Sequence, residues 1–323
     1  MSVLIQRAGF LTSVQDLGRT GFRQSGVSLG GALDPFALRV GNLLVGNGQT
    51  AAGLEITFGG LHLRFQDDRI VAWCGGQFDV RFGSIALPAG HAAHLQAGDE
   101  LRFERPQIGC RAWLAISGGI EVPIVLESRS TDLRAHFGGF QGRVVRDGDV
   151  LSLGKWPGSS MSPKTISPWS AARDWVSPAR SEPVLRFVRG ANWNLFDTSA
   201  VECLTNEPFT VSSDSDRMGV RLFCSPELKR IDNVDLVSEA VAPGTIQVPP
   251  SGQPILLLGD CQTIGGYPKI AHVITVDLGI AAQLRADDHV RFSEVSIAEA
   301  HRLLIERERD LDLFRVGVSL RAS

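Results

Sequence analysis

The sequence predicts a mainly β protein built from short strands in sandwiches or barrels. Three observations lead there. Apolar and polar residues alternate with period two over several short runs, turn signals follow those runs closely, and glycine is abundant, with 35 in 323 residues. Alternation sends every second side chain to one face, so each strand buries one side and leaves the other in water. The spacing of the turns argues against a parallel α/β sheet.

Taken in chain order, the first clear element is a helix opened by Asp34 as N-cap and Pro35 at the first helical position. Phe36, Val40, Leu43 and Leu44 then share one face. Alternating strands follow at 61–65, 78–82 and 101–103, with turns at Ala97-Gly-Asp99 and Asp147-Gly-Asp149. From Lys155 to Pro183 the character changes, with five prolines and seven serines in no regular period, as a surface connection requires. This divides the chain into a first subdomain over 1–155, a connection over 156–183 and a second subdomain over 184–323. The second opens with an alternating strand at 184–188. It also holds an apolar run, Ile255-Leu-Leu-Leu-Gly259, that reads as a buried strand between turns. A capping box at Ser296-Ile-Ala-Glu299 starts a helix running through His301 towards Asp310, its charged end a solvated face. Residues 71–80 loosely echo 187–195, and 98–103 echo 287–292, a weak trace of duplication.

Composition narrows the function. Net charge is −3 and the arginines are scattered, which gives no footprint for nucleic acid or an anionic membrane. The N-terminus lacks the regions of a signal peptide and no apolar run approaches a membrane span. Five cysteines (Cys74, Cys110, Cys203, Cys224, Cys261), odd in number and far apart, read as reduced thiols of a cytoplasmic protein. There is no phosphate loop of the G-x-x-x-x-G-K-[ST] kind and no H-E-x-x-H. His91 and His94 have no third ligand in view, so no metal is expected. Gly26-Val-Ser-Leu-Gly30 matches the nucleophile-elbow pattern, but residues 21–25 make a poor strand before it.

The richest chemistry lies between residues 244 and 270. Gln247, Asp260, Gln262, Lys269 and Tyr267, the single tyrosine, are spaced there by Gly and Pro around the buried strand. Lys269 leaves a constrained turn after Gly265, Gly266 and Pro268. A lysine so placed can neutralise an oxyanion, anchor a carboxylate or, if desolvated, act as a base. Lys269, Asp260 and Tyr267 are therefore the expected catalytic residues. Gln247 and Gln262 offer the paired donor and acceptor that an amide or ureido group requires. Four further residues are expected to bind substrate. Arg129, in Ser128-Arg-Ser-Thr131, and Arg217, in Asp214-Ser-Asp-Arg-Met-Gly219, suit a carboxylate or phosphate. Asp16 and Arg19 are three residues apart in an N-terminal loop. For each of these four, a purely structural pairing is the competing reading.

These blocks resemble the allophanate hydrolase subunit 2, or KipA-like, family. The resemblance begins at Val14-Gln-Asp-Leu-Gly-Arg19 and continues through Asn42-Leu-Leu-Val-Gly-Asn47, Leu54-Glu-Ile-Thr57, Ser128-Arg-Ser-Thr131 and Phe137-Gly-Gly-Phe140. It closes with Ser215-Asp-Arg-Met-Gly219, Ser238-Glu239, the 244–270 segment and Asp277-Leu278. One departure is Gly30 where the family usually has Ser, which removes any hydroxyl contact made there. The resemblance implies two cyclophilin-like β-barrel subdomains. It implies one component of an ATP-dependent 5-oxoprolinase opening the lactam of 5-oxo-L-proline to L-glutamate. The alternatives are half of a biotin-dependent carboxyltransferase of the urea carboxylase type, with biotin on a partner, or a non-enzymatic regulator that antagonises an inhibitor of a sporulation kinase. All imply a KipI-like (allophanate hydrolase subunit 1) partner, expected as a separate chain in a hetero-oligomer. The first adds the A component of 5-oxoprolinase, with ATP bound among the partners.

Overall fold

The computed structural model of the protein describes residues 1–158, 162–232 and 236–322. It is mostly β, as expected. The chain divides into two compact units. The first comprises Met1–Arg19, Gly30–Ala179 and Asp310–Ser323; the second comprises Thr20–Leu29 and Arg180–Arg309. Residues 159–161 of the expected 156–183 connection lie outside the described residues.

In the first unit the strands form a six-stranded and a five-stranded sheet. The former runs Val150–Ser152, Ser2–Ala8, Leu61–Phe65, Glu100–Phe103, Val80–Phe82, Ile85–Ala86, and the latter Leu11–Gln15, Gly53–Thr57, Ile108–Ile116, Arg69–Gln77, Ala92–Leu95. The period-two reading holds at Leu61–Phe65, where Leu61, Leu63 and Phe65 join the core while Arg64 is exposed. In the five-stranded sheet the alternation is lost because both faces are covered: every residue of Gly53–Thr57 is buried. The cover on one face is the Pro35–Leu44 helix. Gly41 in its middle would, with a Cβ, come within 3.3 Å of the Ala115 methyl, so a small residue lets helix and sheet approach closely. The Asp34 carboxylate accepts from the Ala37 N–H at 3.0 Å, the cap foreseen from sequence.

The second unit is a closed seven-stranded barrel in the order Val184–Arg189, Lys269–Val273, Thr245–Gln247, Ile255–Leu257, Gly219–Phe223, Phe209–Val211, His289–Glu294. The parallel pairing of Val184–Arg189 with His289–Glu294 closes it. Phe292 packs edge to face on Phe187 and Phe209 inside, at 6.4 and 5.3 Å between ring centres. Asp277, almost fully buried, accepts from the Arg186 backbone N–H at 2.8 Å and from its guanidinium at 2.9 and 2.6 Å.

The last helix, Ile297–Ala322, is capped by Ser296, whose Oγ accepts from the Glu299 N–H at 3.1 Å. It runs well past the expected end at Asp310. Aromatic contacts support the extension, with Phe314 meeting Trp169 and Trp175 edge-on at 6.5 and 5.6 Å.

Candidate functional site

The barrel's hydrogen-bond register builds the site. Strands Thr245–Gln247 and Lys269–Val273 are neighbours, and a bulge between Ile246 and Gln247 sets Gln247 opposite Lys269. Residues 22 apart in sequence thus become lateral partners. The backbone N–H of Lys269 is fixed by the Asn192 side-chain carbonyl at 2.9 Å. Its ammonium pairs with the Glu239 carboxylate, which is well exposed, whereas the lysine side chain is mostly covered. Glu239 arrives on a short strand, Glu239–Ala240, paired with Ile264–Gly265.

Gln247 is buried, and its amide donates to the Tyr267 carbonyl at 3.3 Å. Gln262 donates to the Gln247 side-chain oxygen, also at 3.3 Å. The two glutamines therefore meet. Gly265 makes this possible: a Cβ there would fall 2.7 Å from the Gln247 amide nitrogen. Tyr267 is half-exposed and, with Gly266 and Pro268, forms part of the wall of a cleft of about 720 Å³. The same wall holds Lys229, Arg230, Pro249 and Pro250. Of the residues singled out between 247 and 269, Tyr267 is the one in that lining; Gln247, Gln262 and Lys269 stand beside it in the fold.

Asp260, expected in catalysis, is gripped bidentately by Arg217 at 2.8 and 3.0 Å, both side chains being largely buried. The Asp260 N–H also donates to the Arg217 carbonyl at 3.1 Å. This closes a loop between the Asp214–Gly219 turn and the end of the Ile255–Leu257 strand, so both residues carry a structural duty.

The first-unit candidates form a different cluster. Asp16 accepts from the Ser128 and Ser130 hydroxyls at 2.6 and 2.5 Å and from the N–H groups of Arg129 and Gly18 at 2.5 and 2.9 Å. The serines flanking Arg129 thus turn to Asp16 rather than framing a ligand for the guanidinium. Arg129 itself reaches Glu121 at 3.6 Å. Arg19, fully buried, donates to the Ser130 carbonyl and lies 4.5 Å over the Phe137 ring. Blocks more than 100 residues apart in sequence are one knot. Gly30 has φ +62°, a left-handed conformation that suits glycine.

Gly26 follows a short 3₁₀ turn, Arg23–Ser25, and not a strand, so the elbow pattern is coincidental. Among the described residues no cluster of His, Cys, Asp and Glu could hold a metal ion. All five cysteines are free and buried. Burial pushes the Cys224 thiol up to about 12, and burial likewise raises Cys261, against the opposing pull of the Arg23 guanidinium. Neither is an activated nucleophile. Sequence reasoning missed Glu239, Asn192, Lys229 and Arg230. Glu239 lay within a recognised block, but nothing in its spacing tied it to Lys269.

Residues 25–294 match the family described as "Carboxyltransferase domain, subdomain A and B". The chain belongs to this family. It is 41% identical to the C component of the 5-oxoprolinase of Escherichia coli (strain K12) over 305 residues, which is 94% of this chain and 95% of that relative. The urea amidolyase of Lachancea kluyveri is 28% identical over 96% of this chain, which spans only 18% of that protein. Among solved structures, the Kluyveromyces lactis urea carboxylase superposes with a TM-score of 0.90 at 28% identity, over 98% of this chain and 29% of that one. The resemblance read from the sequence blocks is thereby borne out. Among the described residues no helix is long and apolar enough to cross a membrane.

Proposed function

We propose that this chain is the C component of an ATP-dependent 5-oxoprolinase, opening the lactam of 5-oxo-L-proline to L-glutamate together with partner proteins. One observation carries the reading: the match to a protein of that name covers 94% of this chain and 95% of that protein, whereas the urea amidolyase match spans 18% of a far longer protein. The site suits the chemistry. A planar lactam carbonyl is a poor electrophile, and its opening needs positive charge and donors at the oxygen. The Lys269 backbone is held by its strand and by Asn192, and its ammonium is tied to an exposed carboxylate. A pair of that kind is worth about 1 kcal/mol or less, so exchanging Glu239 for a developing oxyanion costs little. The Gln262 amide, aligned by Gln247, matches an N–H beside a C=O.

ATP enters this reading as a co-substrate of the assembled enzyme, with a KipI-like protein and the A component of 5-oxoprolinase as partners. The residues fit it unevenly. Lys269 can serve a phosphoryl oxygen, whereas Arg217, engaged by Asp260, does not fit as a phosphate clamp in this arrangement. The buried free thiols suit a reducing cytoplasm. A carboxyltransferase reading, with biotin carried by a partner, draws support from the family description, and the two glutamines would then face a ureido ring. The deciding experiment purifies the chain with its co-expressed partners and measures ATP hydrolysis. Stimulation by 5-oxoproline with release of glutamate is expected. Urea-dependent turnover abolished by avidin, without any response to 5-oxoproline, would overturn the proposal.

A further inference from the structure

The cleft beside Tyr267 has two cations in its wall, and neither the lactam chemistry at Lys269 nor the glutamine pair uses them. Lys229 and Arg230 stand there with Tyr267, Pro249 and Pro250, and with Glu227 as the opposing charge. Its volume of about 720 Å³ lies within the range of small-molecule sites. The segment bearing the cations is fixed by its backbone. The Asp197 N–H donates to the Lys229 carbonyl at 3.2 Å, Phe196 bridges Arg230, and the Ile231 N–H donates to the Leu195 carbonyl at 2.9 Å. Arg230 is already paired with Asp232 at 3.0 Å. Lys229 is exposed and, among the described residues, makes no ion pair, although the Asp197 carboxylate lies within its electrostatic reach. It is therefore the cation with most to gain from an incoming anion. In the same wall, Tyr267 and the two prolines offer apolar surface of the kind that covers a small saturated ring.

A 5-oxoproline molecule has the two features this wall lacks a partner for: a carboxylate on the ring and two ring methylenes. Urea has neither. We infer that the cleft anchors the carboxylate of the lactam substrate, with Lys229 as its ion-pair partner and Tyr267, Pro249 and Pro250 covering the ring. Lys229 is a specificity residue, and the inference rests on the 5-oxoprolinase reading while naming what that reading leaves open, how an acidic lactam is told from a neutral amide.

The test compares K229Q and K229R in the purified multi-protein complex, using 5-oxoproline and its uncharged carboxamide as substrates. Loss of this one ion pair at an exposed lysine should raise KM for 5-oxoproline by up to about fivefold, with kcat little changed. K229R should recover most of the affinity, and turnover of the carboxamide should be the same in all three proteins. Thermal melting of each variant separates a binding defect from a folding one. If the wild-type complex consumes 5-oxoproline and K229Q has an unchanged KM, the anchor is refuted and the activity stands. An equal loss with the carboxamide also refutes it. If the wild-type complex ignores 5-oxoproline and turns over urea instead, the activity reading falls and takes the anchor with it.

Discussion

Asp16 in the first unit and Lys269 in the second are both charged residues in blocks that resemble the same family, yet the fold uses them in opposite ways. Asp16 is buried, and four donors from residues 18 and 128–130 converge on its carboxylate. Such a group holds two distant loops together and has little left to offer a ligand. Lys269 is fixed through its backbone and its strand, while its ammonium rests on one exposed carboxylate that solvent or substrate can replace. The lesson concerns where the rigidity comes from. A side chain that supplies the rigidity is structural, whereas one that receives it from the backbone remains available for chemistry.

The comparison can be broken most directly at Asp16. The D16A variant leaves two hydroxyls and two N–H groups in a buried loop without their acceptor, so stability should fall by about 3 kcal/mol or more. Denaturant unfolding measures this; a loss below about 1 kcal/mol would mean that the loops are held by something else. Next comes Lys269. K269A should lower turnover in the assembled complex by about a hundredfold, the scale of losing one donor to a developing oxyanion. Its melting temperature should barely change, because the partner Glu239 is exposed. Equal turnover in variant and wild type would move the chemistry away from this strand.

The smallest effect concerns pH. His272 lies on the Lys269 strand, and burial holds its imidazole below the ordinary value of 6.5. The unfolded chain therefore takes up the proton first. Stability is full above about pH 7 and declines as pH falls through 6.5, levelling off once the folded form is protonated too. H272Q should flatten that slope in melting curves. His62 in the first unit is also shifted down, chiefly by burial and then by Arg102, so H62Q is the control. A slope unchanged by H272Q but removed by H62Q would place the acid-sensitive point in the first unit.

Local pattern was enough for several elements. Asp34 and Pro35 announced their helix because capping is chemistry between residues three apart, and Leu61–Phe65 announced itself because one face is wet. Gly53–Thr57 gave no alternation, since a helix covers its second face and removes the pattern that exposure would have imposed. At the site, the residue types of Gln247, Gln262 and Lys269 pointed to amide chemistry, and the structure brings the glutamines together. Three other matters were invisible. Glu239 reaches Lys269 across a short strand pair. Asp260 is taken up by Arg217, 43 residues away. Lys229 and Arg230 reach the Tyr267 cleft from a loop with no motif of its own.

What the sequence determined alone was the β class, the helix starts at Asp34 and Ser296, the family and the chemical vocabulary of the 244–270 segment. All of these depend on neighbours along the chain or on blocks of residues in a fixed order. Which charges are spent on holding loops and which remain for a ligand was decided by the tertiary structure. The barrel register and the burial of each carboxylate arise only when strands distant in sequence lie side by side.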